Sequence, residues 1–87
     1  MACSEAEWLQ ALPAAIGDHA YALRAGAACI TLGGGELQLQ WQVQAPRQIA
    51  LIRLPRLRVR FDFRHVPEVE RHAFMQRFDL YTQRGGG

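Results

Sequence analysis

Two runs of this sequence set polar side chains suited to molecular recognition at every second position. From Gln38 to Gln44 glutamines alternate with Leu39, Trp41 and Val43, and from Arg56 to Arg64 arginines and Asp62 alternate with Leu57, Val59, Phe61 and Phe63. A period of two is that of a β-strand, whose successive side chains point to opposite faces. Arg56, Arg58, Arg60 and Arg64 therefore form a row on one face, with residues two apart separated by about 6.6–6.8 Å. Arginine forks grip phosphates and carboxylates, and glutamine amides both donate and accept hydrogen bonds. If Gln38, Gln40 and Gln42 lie in the same sheet, the rows join into one Gln/Arg surface. Such a surface suits a polyanion such as nucleic acid, or an acidic protein partner.

Two features weigh against that reading. Single-strand platforms present aromatic rings beside their cations, whereas Trp41, Phe61 and Phe63 alternate to the opposite face. A row of arginines is also what a solvated sheet face carries, its stems covering apolar surface and its charges discouraging aggregation. A third use is a dimer interface. Two such faces related by a two-fold axis bring glutamines together, but arginines repel unless acids intervene.

The charge distribution sharpens the picture. The 87 residues carry a formal net charge of +2, from 10 basic and 8 acidic side chains. Residues 1–46 contain Arg24 alone against Glu5, Glu7, Asp18 and Glu36, so the acids lie early. Residues 47–87 hold the other nine arginines against Asp62, Glu68, Glu70 and Asp79. Six of those arginines fall between Arg47 and Arg64, with Asp62 the one acid among them.

Catalytic chemistry finds little support. With no lysine there is no Schiff-base chemistry, and the one serine, Ser4, stands near the amino end rather than on a nucleophile elbow. His65, Glu68 and His72 fall near a helix start, but zinc sites need a fuller ligand set at recognisable spacing. Cys29 sits in an apolar run and reads as a small core residue. A thiol–imidazole pair with His19 lacks anything to fix the approach. No catalytic residue, metal site or cofactor is assigned.

The elements that must position these rows follow from the remaining pattern. Ser4 and Glu7 form a capping box, and Trp8, Leu9, Leu12 and Ile16 follow at helical spacing. Pro13 predicts a kink or a looser turn, and Gly17 a stop. Residues 27–32 and 36–44 read as a hairpin closed at Gly33-Gly34-Gly35, preceded by a weaker alternation at Tyr21, Leu23 and Ala25. Ala45-Pro46-Arg47 reads as a break, Ile49–Leu54 as a separate apolar run, and residues 56–64 as a further strand. Val69, Ala73, Phe74, Phe78 and Tyr81 predict a helix over 67–82, with an extended tail after residue 78 as the alternative. The expected fold is a single two-layer α+β domain over residues 1–87. An N-terminal helix, an antiparallel meander of four to five strands and a C-terminal helix make it up, one sheet face packed and the other open.

Arg84-Gly85-Gly86-Gly87 resembles the Gly-Gly end of ubiquitin-like proteins and sulfur carriers, which implies an activated terminal carboxylate. The resemblance covers these last residues only. The β-grasp fold behind such tails begins with a hairpin and places its helix mid-chain, whereas helices are expected at both ends here; a flexible glycine end is the plainer reading.

Thirteen alanines and ten arginines with neither lysine nor asparagine are what GC-rich codons give and point to a bacterial source. Two cysteines, an acidic start and no long apolar run predict a cytoplasmic protein with no membrane segment. The sequence thus predicts a small non-enzymatic binding module that uses Arg56, Arg58, Arg60, Arg64, Gln38, Gln40 and Gln42. The alternative is a self-associating structural or adaptor protein, a homodimer through its sheet face or edge. The core of so short a chain is thin, which favours association.

Overall fold

The computed structural model describes residues 1–83; the Arg84–Gly87 end, and with it the Gly-Gly resemblance, lies outside the described residues. Six elements follow in order: α1 (Glu5–Ile16), β1 (Tyr21–Arg24), β2 (Ala27–Leu32), β3 (Gly35–Ile49), β4 (Ile52–Arg64) and α2 (Glu68–Gln83). The strands form one antiparallel sheet in the order β1-β2-β3-β4. Both helices cover one face of it, so the architecture is the expected two-layer α+β meander, with four strands rather than five.

Helix α1 begins at the capping box. Ser4 accepts from the Glu7 amide at 3.2 Å while Glu7 accepts from the Ser4 amide at 3.1 Å. Such a cap contributes about 1 kcal/mol. The helix stays α-helical through Pro13, without the looser turn, and stops at Gly17 as expected. The Gly17 amide closes the last turn on the Pro13 carbonyl, and the Arg77 guanidinium donates to the Ala14 carbonyl at 3.1 and 3.3 Å. Helix α2 runs to Gln83, so the extended alternative after residue 78 does not occur. Thr82 turns its hydroxyl back to the Phe78 carbonyl at 2.8 Å.

The core lies between the helices and the inward faces of β2, β3 and β4. Trp8, Leu12, Ala15 and Ile16 of α1 and Phe74 and Phe78 of α2 pack on Ile30, Leu37, Leu39, Trp41 and Leu57. Phe78 meets Trp8, Phe61 and Phe74 ring to ring, and the Trp41 indole donates to Glu5 at 2.9 Å, tying sheet to helix. The predicted apolar arc of α2 narrows to Phe74, Phe78 and half-buried Tyr81, since Val69 and Ala73 face solvent.

The largest departure from expectation is the length of the β3–β4 hairpin. Ala45-Pro46-Arg47 does not break the strand. It forms a β-bulge between the Gln44↔Arg56 and Arg47↔Leu54 pairs, which takes up one extra residue while pairing resumes beyond it. Bulges accommodate proline because the ladder is already interrupted there. Pro55 is accommodated differently. The Leu57 amide points to the outer edge, where it bonds the Met1 carbonyl at 2.8 Å, so Pro55 two residues earlier lacks only an outward-facing donor. The paired ribbon therefore runs on to a two-residue turn at Ala50-Leu51, past the end of the helical layer. The radius of gyration is 13.7 Å, against about 12 Å for a compact chain of this length.

At the other end of the hairpin, Gly35 allows β3 to leave its turn beside the end of β4. A Cβ there would fall on the Arg64 and His65 carbonyls.

Candidate anion-binding face

No element among the described residues covers the face of the sheet turned away from the helices, and its composition follows from strand register. Gln44 pairs with Arg56, Gln42 with Arg58, Gln40 with Arg60, Gln38 with Asp62 and Glu36 with Arg64. Directly opposed residues share a face in an antiparallel sheet. The glutamine and arginine rows are therefore neighbours, each of the four glutamine rungs offering an amide beside a guanidinium or a carboxylate. The β2 and β1 registers extend one rung further: Gln40 is opposite Ala27, and Ala27 is opposite Arg24. Arg24 thus joins Arg60 on one line across four strands, with about 14 Å between the outer strands. Nothing in the local sequence pattern places Arg24 in this set. Its signal lies in two successive hairpin registers, which the alternation of one strand cannot supply.

The face divides into two halves of different character. At the end near the β2–β3 turn, Arg64 is committed to Asp62 through its Nε and one terminal nitrogen at 3.2 and 3.1 Å. There Glu36 accepts from both the Cys29 thiol at 3.0 Å and the Gln38 amide at 3.1 Å. Arg64 and Gln38, expected to act with the others, are thus held by acids of their own face. At the opposite end Arg56, Arg58 and Arg60 are exposed and form no ion pair among the described residues. Gln44 donates to Gln42 at 3.4 Å beside them. From Leu37 to Phe61 the chain contains Arg47, Arg53, Arg56, Arg58 and Arg60 and no acidic residue.

Cys29 is not the core residue expected from its apolar neighbours. Ala28 and Ile30 on either side are buried, so Cys29 between them faces the open side, where it meets Glu36. The hydrogen bond to Glu36 raises the thiol pKa, with burial and the negative charge of Glu36 adding to it. The same bond, with that from Gln38, lowers the carboxyl pKa of Glu36. The thiol is kept protonated, the opposite of what a nucleophile needs. His19 packs against Phe74 on the helical side, so it cannot assist Cys29 across the sheet. Among the described residues no three His, Cys, Asp or Glu side chains come together as a metal site, and His65, Glu68 and His72 do not converge on one.

The aromatic side chains behave as their alternation requires. Trp41, Phe61 and Phe63 all face the helices, so among the described residues the open face has no ring on which a base could stack. Among the described residues no helix is long and apolar enough to cross a membrane. Comparison with known protein families, curated proteins and solved structures finds no match to this chain.

Proposed function

We propose that this chain is a non-enzymatic binding module whose open sheet face contacts a polyanion, in the first place the phosphate backbone of a nucleic acid. The observation that carries the reading is the cluster of Arg24, Arg56, Arg58 and Arg60 flanked by Gln40, Gln42 and Gln44 on a face that no described element covers. Guanidinium groups supply charge and bidentate geometry for phosphate, and the glutamine amides add neutral hydrogen bonds between them. With no stacking ring, recognition is of backbone rather than bases, so binding is sequence-tolerant and strongly salt-dependent. Arg- and Ala-rich composition without lysine or asparagine supports a bacterial source, and the unpaired thiols of Cys3 and Cys29 support a reducing cytoplasm.

Fluorescence anisotropy with labelled duplex and single-stranded oligonucleotides, titrated with salt, tests the reading. Binding at low salt that weakens in R58A/R60A is expected. Wild-type protein that leaves all of these probes unbound at low salt refutes it, and binding to acidic polypeptides alone would move the partner class to protein.

A second reading, self-association, has one observation of its own. Strand β1 is an unpaired edge, and its Tyr21 and Leu23 are 43% and 54% exposed on the side that the helices cover elsewhere. Edge pairing of two β1 strands centred on Ala22 would oppose Tyr21 to Leu23 and Arg24 to Ala20, without facing like charges. Sedimentation equilibrium at micromolar concentration decides it: a strict monomer removes the reading.

A further inference from the structure

The sheet face does not use the end of the β3–β4 ribbon. Beyond the bulge the ribbon continues through Arg47↔Leu54, Gln48↔Arg53 and Ile49↔Ile52 to the Ala50-Leu51 turn. Four aliphatic side chains stand in water there: Ile49 is 49% exposed, Leu51 96%, Ile52 60% and Leu54 38%. Ala50 holds the turn at φ 55°, a conformation that glycine adopts freely and alanine adopts at a cost. Behind the apex stand Arg47 and Arg53, one on each strand, and no acid lies in the ribbon from the bulge to its tip.

Three partners could cover such a tip, and its chemistry separates them. A second copy meeting tip to tip would satisfy the aliphatic side chains but crowd four arginines together without a counter-charge. Nucleic acid would answer the arginines but presents no apolar layer at its surface. An anionic lipid bilayer offers both, in the right order: a negatively charged headgroup layer outside an apolar one. Arg53 stands one rung and Arg47 two rungs behind the Ile49↔Ile52 pair, about 3.3 and 6.7 Å along the ribbon. Peripheral elements enter the headgroup and acyl boundary by about 5–10 Å. When Leu51 and Ile52 reach the acyl boundary, Arg53 and Arg47, on opposite faces of the ribbon, both lie within the headgroup layer.

We propose that the β3–β4 tip is an anchor for anionic membranes, with Ile49, Leu51 and Ile52 entering the interface and Arg47 and Arg53 binding headgroup phosphates. This contact is peripheral and requires no spanning segment. It also does not depend on the nucleic-acid reading, because it uses a different set of arginines.

Co-sedimentation of the full chain with vesicles of phosphatidylcholine, with and without phosphatidylglycerol, tests the anchor. The expected result is partition onto phosphatidylglycerol vesicles only, weakened about tenfold or more by L51S/I52S and weakened again by R47A/R53A. Because these side chains are exposed, circular dichroism of the variants should match wild type. L51W adds a direct reading, since an indole entering the interface shifts its emission to the blue and is quenched by lipids brominated on their acyl chains. Oligonucleotide binding should survive L51S/I52S with its salt dependence unchanged. Three results would overturn the proposal. They are no partition onto phosphatidylglycerol vesicles at low salt, partition that persists in L51S/I52S but is lost in R58A/R60A, or tip substitutions that abolish only a dimer or only nucleic-acid binding.

Discussion

Replacing Arg58 and Arg60 by alanine removes two of the four arginines that the register gathers beside Gln40, Gln42 and Gln44. Neither makes an ion pair among the described residues, and both are exposed, so the fold should be unaffected. If each of Arg24, Arg56, Arg58 and Arg60 neutralises one phosphate of duplex DNA, the logarithm of the affinity falls against that of salt with a slope of about −3.6. Between about 50 and 200 mM salt that slope costs about 150-fold in affinity, whereas two remaining contacts give a slope of about −1.8 and a loss of about twelvefold. Anisotropy of a labelled duplex, measured at several salt concentrations for both proteins, reads the two slopes directly. Equal slopes would refute the assignment of these arginines to phosphate contacts, even if wild-type protein binds DNA. A change in R64A as large as in R58A would refute the division of the face, because Arg64 is already held by Asp62.

Four further outcomes follow from particular contacts. G35A should lower stability by about 1–3 kcal/mol in urea unfolding, because its methyl group meets the Arg64 and His65 backbone and the strands must move apart. R77A should cost about 1–2 kcal/mol by the same assay, through its loss of two hydrogen bonds to Ala14 and its stacking over Tyr81. A50G should raise stability by about 0.5–1 kcal/mol, because relief at φ 55° exceeds the entropy that glycine adds to the unfolded chain. Alkylation of Cys29 by iodoacetamide, followed by mass spectrometry, should accelerate only at a pH above that of a free thiol, about 8.5. E36Q should move that rise to lower pH, because the carboxylate that accepts the thiol proton is gone.

Much of this architecture is written in local patterns. Ser4 and Glu7 mark the start of α1, and Trp8, Leu12 and Ile16 mark its buried stripe. The alternations around Trp41 and Phe61 already assign which face of each strand meets the helices. What the sequence conceals is non-local or compensated. Pro46 reads as a strand end because the bulge that absorbs it depends on the partner strand, and Ala50-Leu51 lacks the glycine or asparagine that usually announces a two-residue turn. The local pattern at the end of α1 also gives no sign that the Ala14 carbonyl is taken by Arg77, 63 residues away. The same limit applies to the site. Period-two spacing puts Arg56, Arg58, Arg60 and Arg64 in one row, but only the structure shows Asp62 taking Arg64 out of service. Only the register brings Arg24 in from β1, and only the opposite pleat of Ala28 and Ile30 turns Cys29 to the polar face.

The claim at the centre is that the open Gln/Arg face, and not the helical side, is where a polyanion binds. Titrating labelled protein with a duplex oligonucleotide while following the glutamine side-chain amides and arginine Nε–H signals by NMR tests it residue by residue. The expected shifts fall on Gln40, Gln42, Gln44, Arg24, Arg56, Arg58 and Arg60, with Arg77 on the helical side unmoved. Shifts centred on Arg77, or none at a concentration where the duplex is bound, would contradict it.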